Sequence, residues 1–270
     1  MKSKYDHNFG EVGLAQRNFA GFEKFSGASP TSLRLARHEV HLWRIALAQT
    51  DDVYQKLRAA LSEDEQRRAA QFKFEKLQKR FVIARGALRD ILSRYTGLAA
   101  EKIAFEYEAH GKPKLATTMN PNDVCFNLSH AEDLALCAVA CDRPIGVDVE
   151  FVRQMDDTER IARRFFSPRE SDVFCALPPE QQTGAFFNCW TRKEAFIKAL
   201  GEGLSHPLDR FEVSFLEGES AALLCTRPDP QEATKWTLQA LYPAPNYAGA
   251  LAVAGSDFSL KCWQWEAPRF

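Results

Sequence analysis

The sequence predicts an α+β fold on three observations. Two long segments carry helical periodicity, each is preceded by a Ser-x-x-Glu capping box (Ser62 to Glu65, Ser167 to Glu170), and the stretch between them breaks into short apolar runs separated by Gly, Pro, Asn and Asp. With 270 residues, 45% of them hydrophobic, the chain can bury the core of one large domain or two modest ones.

The opening stretch, residues 1–37, is rich in Gly, Ser, Asn and charge, has only isolated Phe residues, and reads as a mobile arm. The first strand is expected at Val40–Leu47. The Ser62 box opens a helix, and from Arg80 to Tyr95 the apolar residues Phe81, Ala84, Leu88, Ile91 and Leu92 recur at helical spacing. Arg85, Arg89 and Arg94 are left to form a basic side. Strands follow around Ile103–Tyr107, Val124–Leu128, Leu134–Ala140 and Ile145–Glu150. The Ser167 box, with Pro168 at the first helical position, starts another helix, and a longer one runs from Glu180 to Leu200 until Gly201 and Gly203 stop it. Strands return near Phe211–Leu216 and towards Trp263. One offset carries Ser62 to Ser167, Phe81 to Phe186 and Trp43 to Asp148; duplication of a half and coincidence both account for so sparse an echo.

Charge and composition exclude some functions. A formal net charge of −1 removes the bulk electrostatic case for nucleic acid or an anionic membrane surface. No stretch approaches the ~20 apolar residues of a membrane span, and the N-terminus has no apolar signal core. The 7 cysteines lie mostly in apolar runs without Cys-x-x-Cys spacing, which reads as buried reduced thiols and a cytoplasmic protein without structural zinc.

Four short segments carry chemistry. In Ile145-Gly146-Val147-Asp148-Val149-Glu150, strand alternation puts Val147 and Val149 on one face and both carboxylates on the other, where they suit a single hard cation. A solvated edge strand gives the same pattern, but the apolar neighbours indicate an interior strand, in which paired carboxylates need neutralising. In Trp190-Thr191-Arg192-Lys193-Glu194-Ala195-Phe196-Ile197-Lys198, Glu194 and Lys198 share a helix face. Alone they are an ordinary surface ion pair worth about 0.3–0.5 kcal/mol. Phe126-Asn127-Leu128-Ser129-His130 ends a strand in groups that suit a phosphate or cap a turn, with no Gly-x-Ser-x-Gly elbow around Ser129. Gly111-Lys112-Pro113 presents a lysine from a turn.

In this order and approximate spacing the four resemble the pattern of Sfp-type 4′-phosphopantetheinyl transferases: Gly-Lys-Pro, Phe-Asn-x-Ser-His, Gly-Val-Asp-Val-Glu, and Trp-x-x-Lys-Glu-Ala-x-x-Lys running on to Gly-x-Gly-Leu, over roughly residues 40–215. The resemblance implies two similar α/β subdomains in a pseudo-twofold arrangement with coenzyme A in the cleft between them, here residues 38–144 and 145–270 behind the arm 1–37. It implies transfer of 4′-phosphopantetheine from coenzyme A to a serine of an acyl or peptidyl carrier protein, releasing adenosine 3′,5′-bisphosphate.

Carried over residue by residue, Asp148, Glu150 and Glu194 would hold Mg²⁺, Glu194 would also be the candidate base, and Lys198 would act on the leaving diphosphate with Lys193 in support. Lys112, Ser129 and His130 would bind the nucleotide end. Arg68 stands at the usual upstream base, with Lys76 and Arg80 as alternatives, in the region that departs most from the family. Two fused halves suit a monomer, and Arg163 and Arg164 suit an acidic carrier protein. Two competing functions share these residues: a coenzyme A binder without chemistry, and a Mg²⁺-dependent enzyme acting on small phosphate esters.

Overall fold

The computed structural model of the chain describes residues 25, 30, 32–203 and 206–268; most of the arm expected over 1–37 lies outside the described residues. Two sheets organise it, one mixed and one antiparallel. Strand β1 (Glu39–Ala46) pairs with β5 (Leu134–Cys141), which pairs with β4 (Val124–Ala131). Strand β6 (Ile145–Phe151) pairs in the same way with β10 (Tyr247–Ala254), which pairs with β9 (Trp236–Leu241). The strand orders β1-β5-β4 and β6-β10-β9 are therefore equivalent.

Each sheet is covered by a 22-residue helix, α3 (Glu75–Thr96) in the first half and α6 (Pro179–Leu200) in the second. Both stop at a left-handed glycine, Gly97 and Gly201, where only a residue without Cβ turns the chain freely. Ahead of α3 come α1 (Asp51–Ala59), which the sequence reading did not anticipate, and α2 (Glu63–Ala70) with its capping box at Ser62. Ahead of α6 come α4 (Thr158–Phe165) and α5 (Pro168–Cys175), the latter capped by Ser167 as expected. The short hairpins β2 (Phe105–Tyr107) with β3 (Pro113–Leu115), and β7 (Phe211–Val213) with β8 (Leu223–Thr226), complete the description.

The structure therefore bears out the duplicated α+β architecture, and alternation explains how the halves join. Val40 and Leu42 of β1, Leu134 and Leu136 of β5, and Ile145, Val147 and Val149 of β6 form a shared apolar layer between the sheets. Trp43 and Ile45 face α3, and Ala250 and Ala252 face α6. The last strand, β11 (Ser259–Gln264), breaks the symmetry. It pairs parallel to β1, with Trp43 opposite Trp263, so the C-terminal end of the expected 145–270 subdomain completes the N-terminal sheet.

Two other expectations change. Arg85 and Arg89 of α3 are buried, not a solvated basic side, because Glu65 of α2 sits over them; Arg89 Nε donates to Glu65 Oε2 at 2.6 Å, and Arg85 pairs with Oε1. All the cysteines are free, but only Cys137 and Cys189 are buried.

Candidate active site

Strand β6 leads into the site. At Gly146, an added Cβ would stand 2.1 Å from the Ala195 carbonyl oxygen and 2.4 Å from the Ala199 nitrogen, both backbone atoms of α6. The glycine thus allows β6 to lie directly against α6, which brings Asp148 up to Glu194 and Lys198. On the other side β4 lies beside β6, where Asn127 Oδ1 accepts the Val147 backbone N–H at 2.9 Å. A glycine inside a strand and an asparagine two residues before Ser129 were visible in the sequence as signals of close approach and bonding, but their partners were not.

Between β4, β6, α6 and the segment after α6 lies a cleft of about 840 Å³. It is lined from β4 by Leu128, Ser129 and His130, from β6 by Asp148 and Glu150, from α6 by Trp190, Glu194 and Lys198, from α4 by Arg164 and Phe165, and by residues 206–209. Asp148 is 3% exposed. Its Oδ1 accepts from Ser129 Oγ at 2.8 Å and from Lys198 Nζ at 2.5 Å, and Lys198 Nζ also donates to Ser129 Oγ at 2.9 Å. Asp148 Oδ2 and Glu194 Oε1 are buried with no hydrogen-bond partner.

The electrostatics reflect crowding. Desolvation, then the charge on Asp148, pushes the Glu194 carboxyl up to about 7 against the opposing pull of Lys198. Glu150 is also raised to about 7, by desolvation and then by Asp148. Desolvation, then Lys198 and Arg80, lowers the His130 imidazole, although the residue as a whole is exposed. Among the described residues no group of three His, Cys, Asp or Glu side chains stands ready-made as a metal cage. The Lys198 ammonium instead neutralises part of the carboxylate cluster.

The other anticipated residues lie elsewhere. Lys193 is a correction: it is wholly buried, with Nζ donating to the Leu208 and Phe211 carbonyls at 2.8 and 2.6 Å and pairing with Glu170 Oε2 at 2.7 Å. One helical step from Glu194 turns it out of the cleft and into the second half's core. Lys112 Nζ reaches the Ile145 and Ala199 carbonyls at 3.2 and 3.3 Å, joining the β3 side of the molecule to β6 and α6. Arg68 is exposed on α2 with its guanidinium 5.6 Å from the Phe81 ring centre. Arg80 is held by Glu132 at 2.6 Å and Asp133 at 2.9 Å, in the turn that follows His130. Neither Lys112 nor Arg68 lines the cleft. The segment 206–209 does, and the sequence held no signal for it.

Comparison with known proteins agrees with this arrangement. Residues 144–252 match the 4′-phosphopantetheinyl transferase superfamily, and residues 47–142 match the family described as 4′-phosphopantetheinyl transferase, N-terminal. The chain is 42% identical over 236 residues to the 4′-phosphopantetheinyl transferase HetI of Nostoc sp. (strain PCC 7120), covering 87% of this chain and 96% of that protein. It is 32% identical to the 4′-phosphopantetheinyl transferase Sfp of Bacillus subtilis (strain 168), over 63% of this chain and 72% of that one. The mouse L-aminoadipate-semialdehyde dehydrogenase-phosphopantetheinyl transferase is 26% identical over 74% of this chain and 69% of its own. With both halves matched and one relative aligned along nearly its whole length, the chain belongs to the 4′-phosphopantetheinyl transferase superfamily and is an enzyme that transfers the phosphopantetheine moiety of coenzyme A to a carrier protein.

Proposed function

We propose that the acceptor is a serine of an apo acyl or peptidyl carrier protein and that Asp148, Glu150 and Glu194 hold Mg²⁺ during the transfer. The observation that carries this reading is the pair of buried, unpartnered carboxylate oxygens, Asp148 Oδ2 and Glu194 Oε1, in a cleft where Glu150 and Glu194 are held up to about 7. Hard oxygen donors crowded enough to resist ionisation fit a small divalent cation. When bound there, Mg²⁺ supplies neutralisation of charge on the coenzyme A diphosphate.

The chain's own residues would do the rest. The serine oxygen attacks the phosphorus that bears pantetheine, the bond to the adenosine-bearing phosphate breaks, and adenosine 3′,5′-bisphosphate leaves. Glu194 is the residue placed to take the serine proton. Lys198 supplies positive charge to the departing diphosphate. His130 and Lys112 would bind the nucleotide end. Of the upstream bases Arg68, Lys76 and Arg80, Arg80 is the one held to the turn that follows His130, through Glu132 and Asp133, which favours it for the 3′-phosphate. Arg164, which lines the cleft beside Phe165 and Trp190, is the cation offered to an acidic carrier protein, whereas Arg163 is engaged with Glu159 of α4.

The test is the intact mass of an apo carrier protein incubated with the enzyme, coenzyme A and Mg²⁺, beside Asp148→Ala. Gain of one phosphopantetheine by the wild type alone supports the assignment. Equal transfer in the presence of a chelator would refute the metal.

A further inference from the structure

Ser129 was expected to bind the nucleotide end of coenzyme A, but its hydrogen bonds are already committed. A serine hydroxyl has one proton to donate and lone pairs to accept with. Lys198 Nζ has donors only, so in the bond between them Ser129 Oγ accepts. Its single proton therefore goes to Asp148 Oδ1, 2.8 Å away. A phosphate dianion, an acceptor only, could take that proton only by releasing Asp148.

The three groups form a closed ring, since Lys198 Nζ also donates to the same Asp148 Oδ1 at 2.5 Å. Two donors on one carboxylate oxygen fix the rotation of the group and leave the other oxygen, Oδ2, bare and buried. The strand that carries Ser129 is itself registered to β6, because Asn127, on the same face of β4, accepts the Val147 N–H. Ser129 is 6% exposed, so water does not readily substitute for its hydroxyl.

We propose that Ser129 is a positioning residue for the metal carboxylate: with Lys198 it holds Asp148 by Oδ1 so that Oδ2 alone faces the cation. This rests on the metal reading above. It gives Lys198 a second function, as the internal cation that offsets Asp148 before substrate arrives, and it separates Ser129 from its neighbour His130, which stays free for the nucleotide. Hydrogen-bonding partners of metal ligands typically contribute ~10–100-fold to metal affinity.

The experiment measures Mn²⁺ binding by electron paramagnetic resonance without coenzyme A, and coenzyme A binding by calorimetry in chelator, for wild type, Ser129→Ala, Ser129→Thr and Asp148→Ala. Urea unfolding of each variant accompanies both. Ser129→Ala is expected to weaken Mn²⁺ at least ~10-fold with coenzyme A affinity unchanged, and Ser129→Thr, which restores the hydroxyl, to recover most of the loss. Unchanged Mn²⁺ affinity in Ser129→Ala, alongside its loss in Asp148→Ala, overturns the positioning role and leaves the metal site standing. Weakened coenzyme A binding in chelator with Mn²⁺ unaffected returns Ser129 to the nucleotide. Equal losses of both ligands with a lowered urea midpoint show a merely structural serine. If wild type and Asp148→Ala bind Mn²⁺ equally poorly, the metal reading itself fails, and this role with it.

Discussion

The two halves of the molecule place an ion pair at the same point of the same element and use it differently. Counted back from their glycine stops, Asp90 and Arg94 occupy on α3 the positions of Glu194 and Lys198 on α6. In the first half, the strand beneath the helix presents Trp43, and β11 adds Trp263. Asp90 Oδ2 accepts from Arg94 at 2.6 Å and from Trp265 Nε1 at 2.8 Å, and Arg94 lies over the Trp43 ring. Each charge is answered, and the pair is mostly buried. In the second half the corresponding strand presents Asp148, no extra strand covers the pair, and two carboxylate oxygens are left unanswered at a cleft. An acid and a base one turn apart are structural when aromatic groups close over them. They become reactive when a third charge and an opening are added.

That contrast breaks most directly at Asp148. Asp148→Ala should lower turnover by roughly 10²–10³-fold, the usual loss on removing a preorganised electrostatic group, read from the mass of the carrier protein. The first-half acid, at the position Glu194 holds in the second half, should behave in the opposite way: Asp90→Ala should leave turnover of the folded enzyme intact but cost about 3 kcal/mol in urea unfolding. That is the low end for breaking a buried pair, because Arg94 keeps the Pro30 carbonyl.

The capping glutamates sharpen the comparison from the structural side. Glu65 and Glu170 each close a capping box and neutralise cations of the following long helix, Arg85 and Arg89 in one case and Lys193 in the other. Glu170→Ala strands the Lys193 ammonium in the core and should destabilise by about 3–5 kcal/mol. Lys193→Met, which keeps volume and removes the charge, should leave coenzyme A affinity of the folded protein unchanged. A marked rise in the coenzyme A KM would instead restore Lys193 to the binding site.

Backbone approach gives a smaller effect. Gly146→Ala should cost about 1–3 kcal/mol, the range for overpacking, and should weaken Mn²⁺ binding as well, because the strand displaced from α6 carries Asp148. Gly86→Ala, whose Cβ would meet Leu57 Cβ at 2.6 Å, should destabilise without touching metal affinity.

A pair of opposed pH dependences, measured as melting temperature in chelator, separates the halves further. Burial lowers the His41 imidazole below its ordinary 6.5. The unfolded chain therefore takes up that proton first, and His41 costs stability as pH falls below about 6.5. Glu150 and Glu194 are raised from an ordinary 4.5 to about 7, so the folded state keeps protons that the unfolded chain has lost, and stability falls as pH rises between those values. His41→Gln should flatten the acid limb and Glu194→Gln the neutral one.

Much of this was legible in the chain. Periodicity marked α6 nearly to both ends and α3 at its C-terminal end, five residues short of its start at Glu75, and both capping boxes stand at the residues that announced them. Helix α1 was missed although Thr50 caps it and Tyr54 and Leu57 share its buried face, because 9 residues give too short a run for the pattern to stand out. The face shared by Asp148 and Glu150 and the face shared by Glu194 and Lys198 follow from strand and helix geometry alone, which is why the site's centre was readable without a structure.

What the sequence by itself determined was local: which residues share a face, where helices begin and stop, and which motifs stand in which order. Tertiary structure decided what covers each face. It buried Arg85, Arg89 and Lys193 under glutamates from other helices, added β11 to the first sheet, brought residues 206–209 to the cleft, and directed the one proton of Ser129 to Asp148. The reason is that periodicity depends on neighbours a few residues away, whereas burial and hydrogen-bond partners are set by segments tens to hundreds of residues distant, whose approach depends on the packing of the whole core.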